Sequence, residues 1–400
     1  MTAPKAIEIL PFILGLIFAV IVIEFPRSLA FMPGVMCLAT LGYIYGKDKI
    51  KPALPKLSLF ILIGITALAA LSSLWAIDSG YALERSGKLI PVFFAGLVCI
   101  SAAKTLKHSM IRPVIMMLGT LICAGGTLTL FDLNANYSAH KFFRGLDAET
   151  FIWPAAFNRG TVVLSFSWIA VFSYFIFIKK SIKSAALITA PPLALMAFTD
   201  SQSTQLALLV ALIFLFAFPV NCKISVYALG GLICALTLAA PFFTPLLYTQ
   251  ADTINNLPFL GQGMGYAGPR LEIWDYVGRY VQQNPLFGYG LEATRNITDF
   301  DSAEKFIEGN TILHPHNFAL QLWIEFGVIG ALAGCAVIIT LLRQIMQLEH
   351  PAVKRAALAM FMAVLSISAT GYGMWQSWWI GTLLFTTAQI ILLKRAAAEE

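Results

Sequence analysis

The sequence predicts an all-α, polytopic membrane protein of about twelve transmembrane helices, with one large loop on the outward side. Three observations predict it. Hydrophobic residues make up 58% of the 400-residue chain and charged residues only 12%, where a soluble domain averages roughly 45–50% and about 25%. The apolar residues gather in runs close to the ~20 residues that cross a bilayer. The charges sort by side. With the N-terminus placed in the cytoplasm and the runs alternating, short inward loops receive 17 of the 27 basic residues, and the other side holds the remaining 10 with 16 of the 21 acids. The positive-inside rule then puts both termini in the cytoplasm.

The runs lie near 7–23, 29–46, 57–77, 89–103, 110–131, 160–178, 184–199, 205–220, 224–248, 317–342, 356–372 and 375–393. The first carries Glu8 at its start and Pro26-Arg27 after it, without a small-residue cleavage pattern, so it reads as a span rather than a cleaved leader. The fourth and seventh are short, and the last two flank Gly371 with little between them. The whole chain, 1–400, reads as one integral membrane unit. The net charge of +6 reflects topology; the basic loops have no aromatic interleaving and no groove-sized element, which argues against nucleic acid as a partner. Five of the six cysteines fall inside apolar runs and none forms a C-x-x-C, so they read as small packing residues, with neither a disulfide framework nor a metal implied.

Two outward loops are long, about 132–159 and about 249–316. Loops above about 15 residues are usually functional or disordered. The second holds a helix: Pro269 suits the first position, Arg270, Trp274, Val277 and Val281 follow at helical spacing, and Asn284-Pro285 ends it. No internal repeat of transporter type is visible.

The chemistry-bearing residues gather on the outward side. His314-Pro315-His316-Asn317 closes the large loop directly before an apolar helix, and carries two of only five histidines. Histidine suits proton transfer near neutral pH, so one of the pair reads as a general base, with Asn317 capping the helix or orienting the ring; a polar start to the helix is the plainer alternative. A two-histidine metal site lacks further ligands nearby. Arg270 and Arg279, with Trp274, give the loop helix a face suited to an anionic, lipid-linked ligand, though snorkelling at the membrane surface would look the same. Arg159 stands at the outer end of the sixth run, where an arginine is paired, snorkelling or functional. Arg144 and Lys141 add positive charge nearby. Glu325, inside the tenth run, should lie roughly 13 Å deeper than His316 and about half a turn round on a regular helix; it reads as a structural partner for another polar group. Gly263-Met264-Gly265-Tyr266-Ala267-Gly268 matches G-x-G-x-x-G without the strand context that dinucleotide binding requires. Asp299-Phe300-Asp301, with Glu304 and Glu308 following, reads as a solvated acidic stretch.

The run from His314 to Gly330, HPHNFALQLWIEFGVIG, resembles the H-x-H-N…L-Q…E-x-G-x-x-G signature of the O-antigen ligase and polymerase-like superfamily. Arg270-Leu271-Glu272-Ile273-Trp274 followed by Asn284-Pro285-Leu286-Phe287-Gly288-Tyr289-Gly290 is similar to its R…W…P-x-x-G-x-G block, and Trp75-Ala76-Ile77-Asp78 with Arg85 is similar to a weaker feature. The resemblance is sharp over about 270–330. It implies a glycosyltransferase-C-like, metal- and cofactor-independent membrane enzyme, moving a glycan from undecaprenyl diphosphate on the periplasmic face of the bacterial inner membrane. It implies His316 as base, His314 in support, and Arg270 on the diphosphate. Where the family places a further arginine after a span, this chain has Ser201-Gln202-Ser203, so Arg159 or Arg144 is expected to supply that charge instead. The expectation is an O-antigen ligase with lipid A–core as acceptor; an O-antigen polymerase or a protein O-oligosaccharyltransferase uses the same donor. A polysaccharide or lipid transporter fits less well, because the runs are nearly free of midplane charge.

Overall fold

The computed structural model describes residues 3–199, 201–257, 267–298, 305–307 and 312–398. All regular structure among them is helical. In chain order the helices are α1 Ala3–Glu24, α2 Met32–Asp48, α3 Lys56–Leu71, α4 Ser79–Thr105, α5 His108–Asn134, α6 Ser138–Arg144, α7 Asn158–Ser173, α8 Ile182–Phe198, α9 Gln202–Phe216, α10 Lys223–Tyr248, α11 Ala251–Asn255, α12 Ala267–Gln283, α13 Phe318–Met346, α14 Pro351–Thr370 and α15 Ser377–Ala397. Each of the twelve apolar runs is a helix. Among the described residues, eight stretches are long and apolar enough to cross a bilayer, and three shorter apolar helices accompany them. The chain is a multi-pass membrane protein.

Within the bundle, α1 packs on α5, α4 on α15, α9 on α14, and α10 on both α12 and α13. The centre is α7, buried along most of its length. Gly160 permits its N-terminal end to close on α1, since a Cβ there would sit 2.8 Å from the Ile23 side chain and 3.1 Å from the Val22 carbonyl. Around this centre runs the larger apolar core, from α1, α4, α5, α7, α9, α14 and α15. A second, smaller core joins α10, α12 and the first half of α13. The loop helix α12 is therefore fastened to the bundle rather than lying loose on it. Gly278 lets it approach α10 closely, with a Cβ there only 2.8 Å from Thr244 Oγ1 and 3.0 Å from the Pro241 carbonyl. Asn284-Pro285 ends α12 as expected from sequence.

The regular helix expected over 317–342 is not regular. Gly327 sits at φ +59, ψ −150 and breaks α13. The Pro285–Gly290 segment fills the break. Tyr289 N–H donates to the Ile324 carbonyl at 2.8 Å, Gly290 N–H to Glu325 at 2.9 Å, and Val328 N–H to Pro285 at 2.8 Å. These bonds satisfy the backbone groups that the break frees, which an apolar medium requires. Gly288 (φ +66) and Gly290 (φ +89) permit the approach: a Cβ would lie 2.7 Å from the Ile324 carbonyl at the first, and 2.2 Å from Ala76 Cβ at the second. Trp75 meets Phe287 at 5.6 Å between ring centroids, and Arg85 pairs with Glu292 at 3.2 Å. The Trp75–Asp78 feature of the sequence is thus the far wall of this loop.

Candidate functional site

The site forms where the two cores meet, at the ends of α12, α13, α14 and α15. Asn317 caps α13, its Oδ1 accepting from Ala319 N–H at 2.9 Å and Leu320 N–H at 3.3 Å. The residues before the cap are fastened from two sides. Trp274 Nε1–H donates to the Pro315 carbonyl at 2.8 Å, and Thr294 Oγ1–H donates to the Leu313 carbonyl at 3.1 Å. Between these anchors His316 adopts a left-handed backbone, φ +53, which aims its ring at the turn joining α14 to α15.

There the His316 Nδ1 bonds the Gly371 carbonyl. A carbonyl only accepts, so Nδ1 carries the proton, and in the neutral ring Nε2 is left with a free lone pair. Burial, opposed by the Gly371 bond and reinforced by the charge of Arg270, holds this imidazole below the ordinary histidine range. It is therefore neutral near pH 7 and able to take a proton. His314 lies against it, ring centroids 4.1 Å apart, and burial, helped by His316 and Arg295, pushes it down to about 3. Gln376 Nε2–H donates to His314 Nε2 at 3.0 Å, and Trp378 Nε1–H fixes that amide through Gln376 Oε1 at 2.7 Å. Gly373 makes room for the ring; a Cβ there would stand 2.6 Å from His314 Cδ2.

The arginines converge on the same turn. Arg270, in the first turns of α12, is partly buried, and burial lowers its proton affinity. Arg159, at the start of α7, places its guanidinium 5.7 Å from the Trp378 ring centroid. Neither has a carboxylate ion-pair partner among the described residues. Tyr372 lies within electrostatic reach of both, and burial pushes its phenol up to about 12. Arg279, which the sequence paired with Arg270, is instead tied to Asp275 at 3.0 Å. Arg144 lies over Phe25, 5.0 Å from its ring centroid, and acts electrostatically on Arg159 together with Arg27. Gln202 opens α9 beside the same turn; the next residue, Ser203, donates from Oγ to the Thr370 carbonyl at 3.3 Å.

Glu325 has the structural part expected of it. Fully buried, it accepts from Gln321 Nε2 at 2.9 Å and from Trp375 Nε1 at 2.5 Å. Gln321 Oε1 in turn accepts from Met374 N–H at 2.9 Å. One carboxylate and one amide thus clamp the 371–376 turn onto α13. Glu272, in the arginine–tryptophan block, accepts from the N–H groups of Lys305, Phe306 and Ile307 at 2.9, 2.6 and 3.1 Å. Gly263 to Tyr266, Asp299 to Asp301, Glu304 and Glu308 lie outside the described residues.

Sequence reasoning missed the α14–α15 turn. Gly371, Tyr372, Gln376 and Trp378 carry no motif of their own; their only visible signal was an unusually short connection between two spans.

Residues 185–335 match the family model described as O-antigen ligase. Over this stretch the chain is similar to O-antigen ligases. The match takes in Gln202, Arg270, Trp274, His314, His316 and Asn317, and leaves Arg144, Arg159 and Tyr372 outside it. A Rickettsia conorii protein, provisionally named a polysaccharide ligase, is 33% identical over 131 residues, about a third (32%) of either chain. One from Rickettsia prowazekii with the same provisional name is 24% identical over 342 residues, covering 84% of this chain and 80% of that protein. A Rickettsia bellii protein so named is 24% identical over 337 residues, 81% and 76% of the two chains.

Proposed function

We propose that this chain is an O-antigen ligase of the bacterial inner membrane: it transfers O-antigen polysaccharide from undecaprenyl diphosphate to a sugar hydroxyl of lipid A–core at the periplasmic face, completing lipopolysaccharide. The observation that carries the reading is the fixed tautomer of His316, whose Nε2 lone pair faces no hydrogen-bonding partner among the described residues while Nδ1–H is held by Gly371. On the same turn converge two arginines without carboxylate ion-pair partners among the described residues, the donor set a diphosphate needs.

The acceptor hydroxyl gives its proton to His316 Nε2, and its oxygen attacks the anomeric carbon of the donor. The bond from that carbon to the diphosphate oxygen breaks with inversion, and the electron pair leaves on the diphosphate. Arg270 and Arg159 stabilise the charge that develops there, in a site from which much water is excluded. The imidazolium returns its proton to water or to the departing diphosphate. His314 holds the ring of His316 by packing; Trp274 and Asn317 hold its backbone.

Reconstitution of the purified chain with undecaprenyl-diphosphate-linked glycan, lipid A–core and a chelator tests this. Product that requires lipid A–core supports ligation. Lengthening of the glycan without that acceptor would assign a polymerase instead. His316→Ala should abolish transfer, on the order of 10²–10⁴-fold or more for loss of a general base, with the melting temperature retained. Full activity of that variant would overturn the assignment.

A further inference from the structure

Arg27 and Arg144 stand outside the transfer chemistry. We propose that the surface made by α6 and the 3-10 turn Pro26–Ala30 docks the phosphorylated headgroup of the acceptor glycolipid. The identity of that lipid as acceptor rests on the proposed function; the surface itself is argued from its construction.

The 138–153 segment is rigidly built and yet shows the outside a face that a folded loop normally hides. Asp132 accepts from Ala139 N–H at 2.8 Å and from His140 N–H at 3.1 Å, fixing the start of α6. His140 Nδ1 pairs with the fully buried Glu24 at 2.7 Å, and Tyr137 stacks on Phe157 at 5.9 Å. Lys141 Nζ closes the following turn on the Ala148 carbonyl at 2.6 Å. From this scaffold project Phe142, 80% exposed, Phe151, 71%, and Trp153, 58%. Beside them Arg144 rests on Phe25, and Arg27 follows two residues after that ring. Both arginines are exposed, and neither has a carboxylate ion-pair partner among the described residues, although Asp147 and Glu149 lie exposed on the same segment.

Exposed aromatics at a span's end sit at the level of lipid headgroups. Guanidinium groups there bind phosphate through paired N–H donors. The charge decides the kind of lipid: Arg27 and Arg144 both add positive charge that Arg159 feels, and an anion with more than one phosphate offers each exposed guanidinium a partner. Arg159 belongs to the candidate site, so the two exposed arginines lie within electrostatic reach of it.

The test is binding, which needs no turnover. The full chain in zwitterionic nanodiscs is given diphosphorylated lipid A, its dephosphorylated form, or undecaprenyl diphosphate, and retained lipid is read by native mass spectrometry. The wild type should favour diphosphorylated over dephosphorylated lipid A by about tenfold or more, equivalent to ~1.4 kcal/mol. Arg27→Gln with Arg144→Gln should lose that preference and keep undecaprenyl diphosphate binding; lysine at both positions should restore part of it. Retention of the preference in the double variant would overturn the proposal. So would equal competition by phosphatidylglycerol, which would mark a generic anionic-lipid belt. Parallel loss of undecaprenyl diphosphate would assign both arginines to the donor and overturn it too. A chain that binds in this way but transfers no glycan would instead sink the proposed function.

Discussion

At the residue scale, His316 concentrates the site's specification in one side chain. Its left-handed backbone, uncommon for any residue but glycine, persists because Trp274, Asn317 and Gly371 hold the chain on every side. That arrangement has a pH signature. On the proposed mechanism the imidazole acts in its neutral form, and its affinity for protons is depressed, so the acid limb of kcat/KM should fall below the ordinary value of about 6.5. A limb above that value would contradict the environment described. His314 adds a stability effect of the same sign: a depressed histidine favours the folded state fully above about 6.5, and its contribution is lost as pH falls from there toward about 3. Thermal melts of the detergent-solubilised chain should therefore decline through that interval, and less so in a His314→Gln variant. Tyr372, kept as a neutral phenol by burial and within electrostatic reach of both guanidinium groups, would on the proposed mechanism donate to a phosphate oxygen. Tyr372→Phe should lower kcat/KM by about 10–100-fold, the loss of one hydrogen bond to a charged group, without changing the melting temperature by more than a few degrees.

At the element scale, the deciding feature is the break in α13. Gly327→Ala would place a Cβ 2.4 Å from the Leu286 carbonyl, on a backbone at φ +59. Strain of about 1–3 kcal/mol, plus displacement of the 285–290 segment, should lower the melting temperature and free that segment to limited proteolysis; an unchanged digestion pattern would show that the wedge is dispensable. The elements also show what the chain's own residues reveal before folding. Apolar length located twelve helices, eight of them long and apolar enough to cross a bilayer, and the Asn317 cap and Asn284-Pro285 stop follow from local chemistry. The break at Gly327 does not, because a glycine amid apolar residues is compatible with a straight helix, and only its contact with Pro285–Gly290, forty residues earlier, makes the left-handed turn stable. The Gly371 carbonyl was equally hidden: it lies 55 residues from His316, and a backbone acceptor has no residue type to betray it. Arg159 could be flagged since a cation near hydrocarbon demands a reason, but its company with Arg27 and Arg144 is a product of packing α1, α6 and α7 together.

At the scale of the whole molecule, the site gathers residues from α7, α12, α13 and the α14–α15 turn at one end of the bundle. On the topology that the charge distribution predicts, that end faces away from the cytoplasm. In a cysteine-free background, a single cysteine replacing exposed Ser377 or Glu149 should react with a membrane-impermeant maleimide in spheroplasts. One replacing Lys107 or Lys180 should react only after permeabilisation. The reverse pattern would invert the topology and remove the donor's diphosphate from reach.

The break in α13 also separates two mechanical duties. The half that carries Asn317, Gln321 and Glu325 is pinned to the 285–290 segment and the 371–376 turn, whereas the half from Val328 onward keeps one bond to that segment, at Pro285, and carries most of the apolar length. A span that tilts to match a thicker or thinner membrane would, if continuous, swing the base with it. A break at Gly327 that takes up the swing would insulate the alignment of histidine and arginines from acyl-chain length, and the site's geometry would then be held as the lipid composition around it changes.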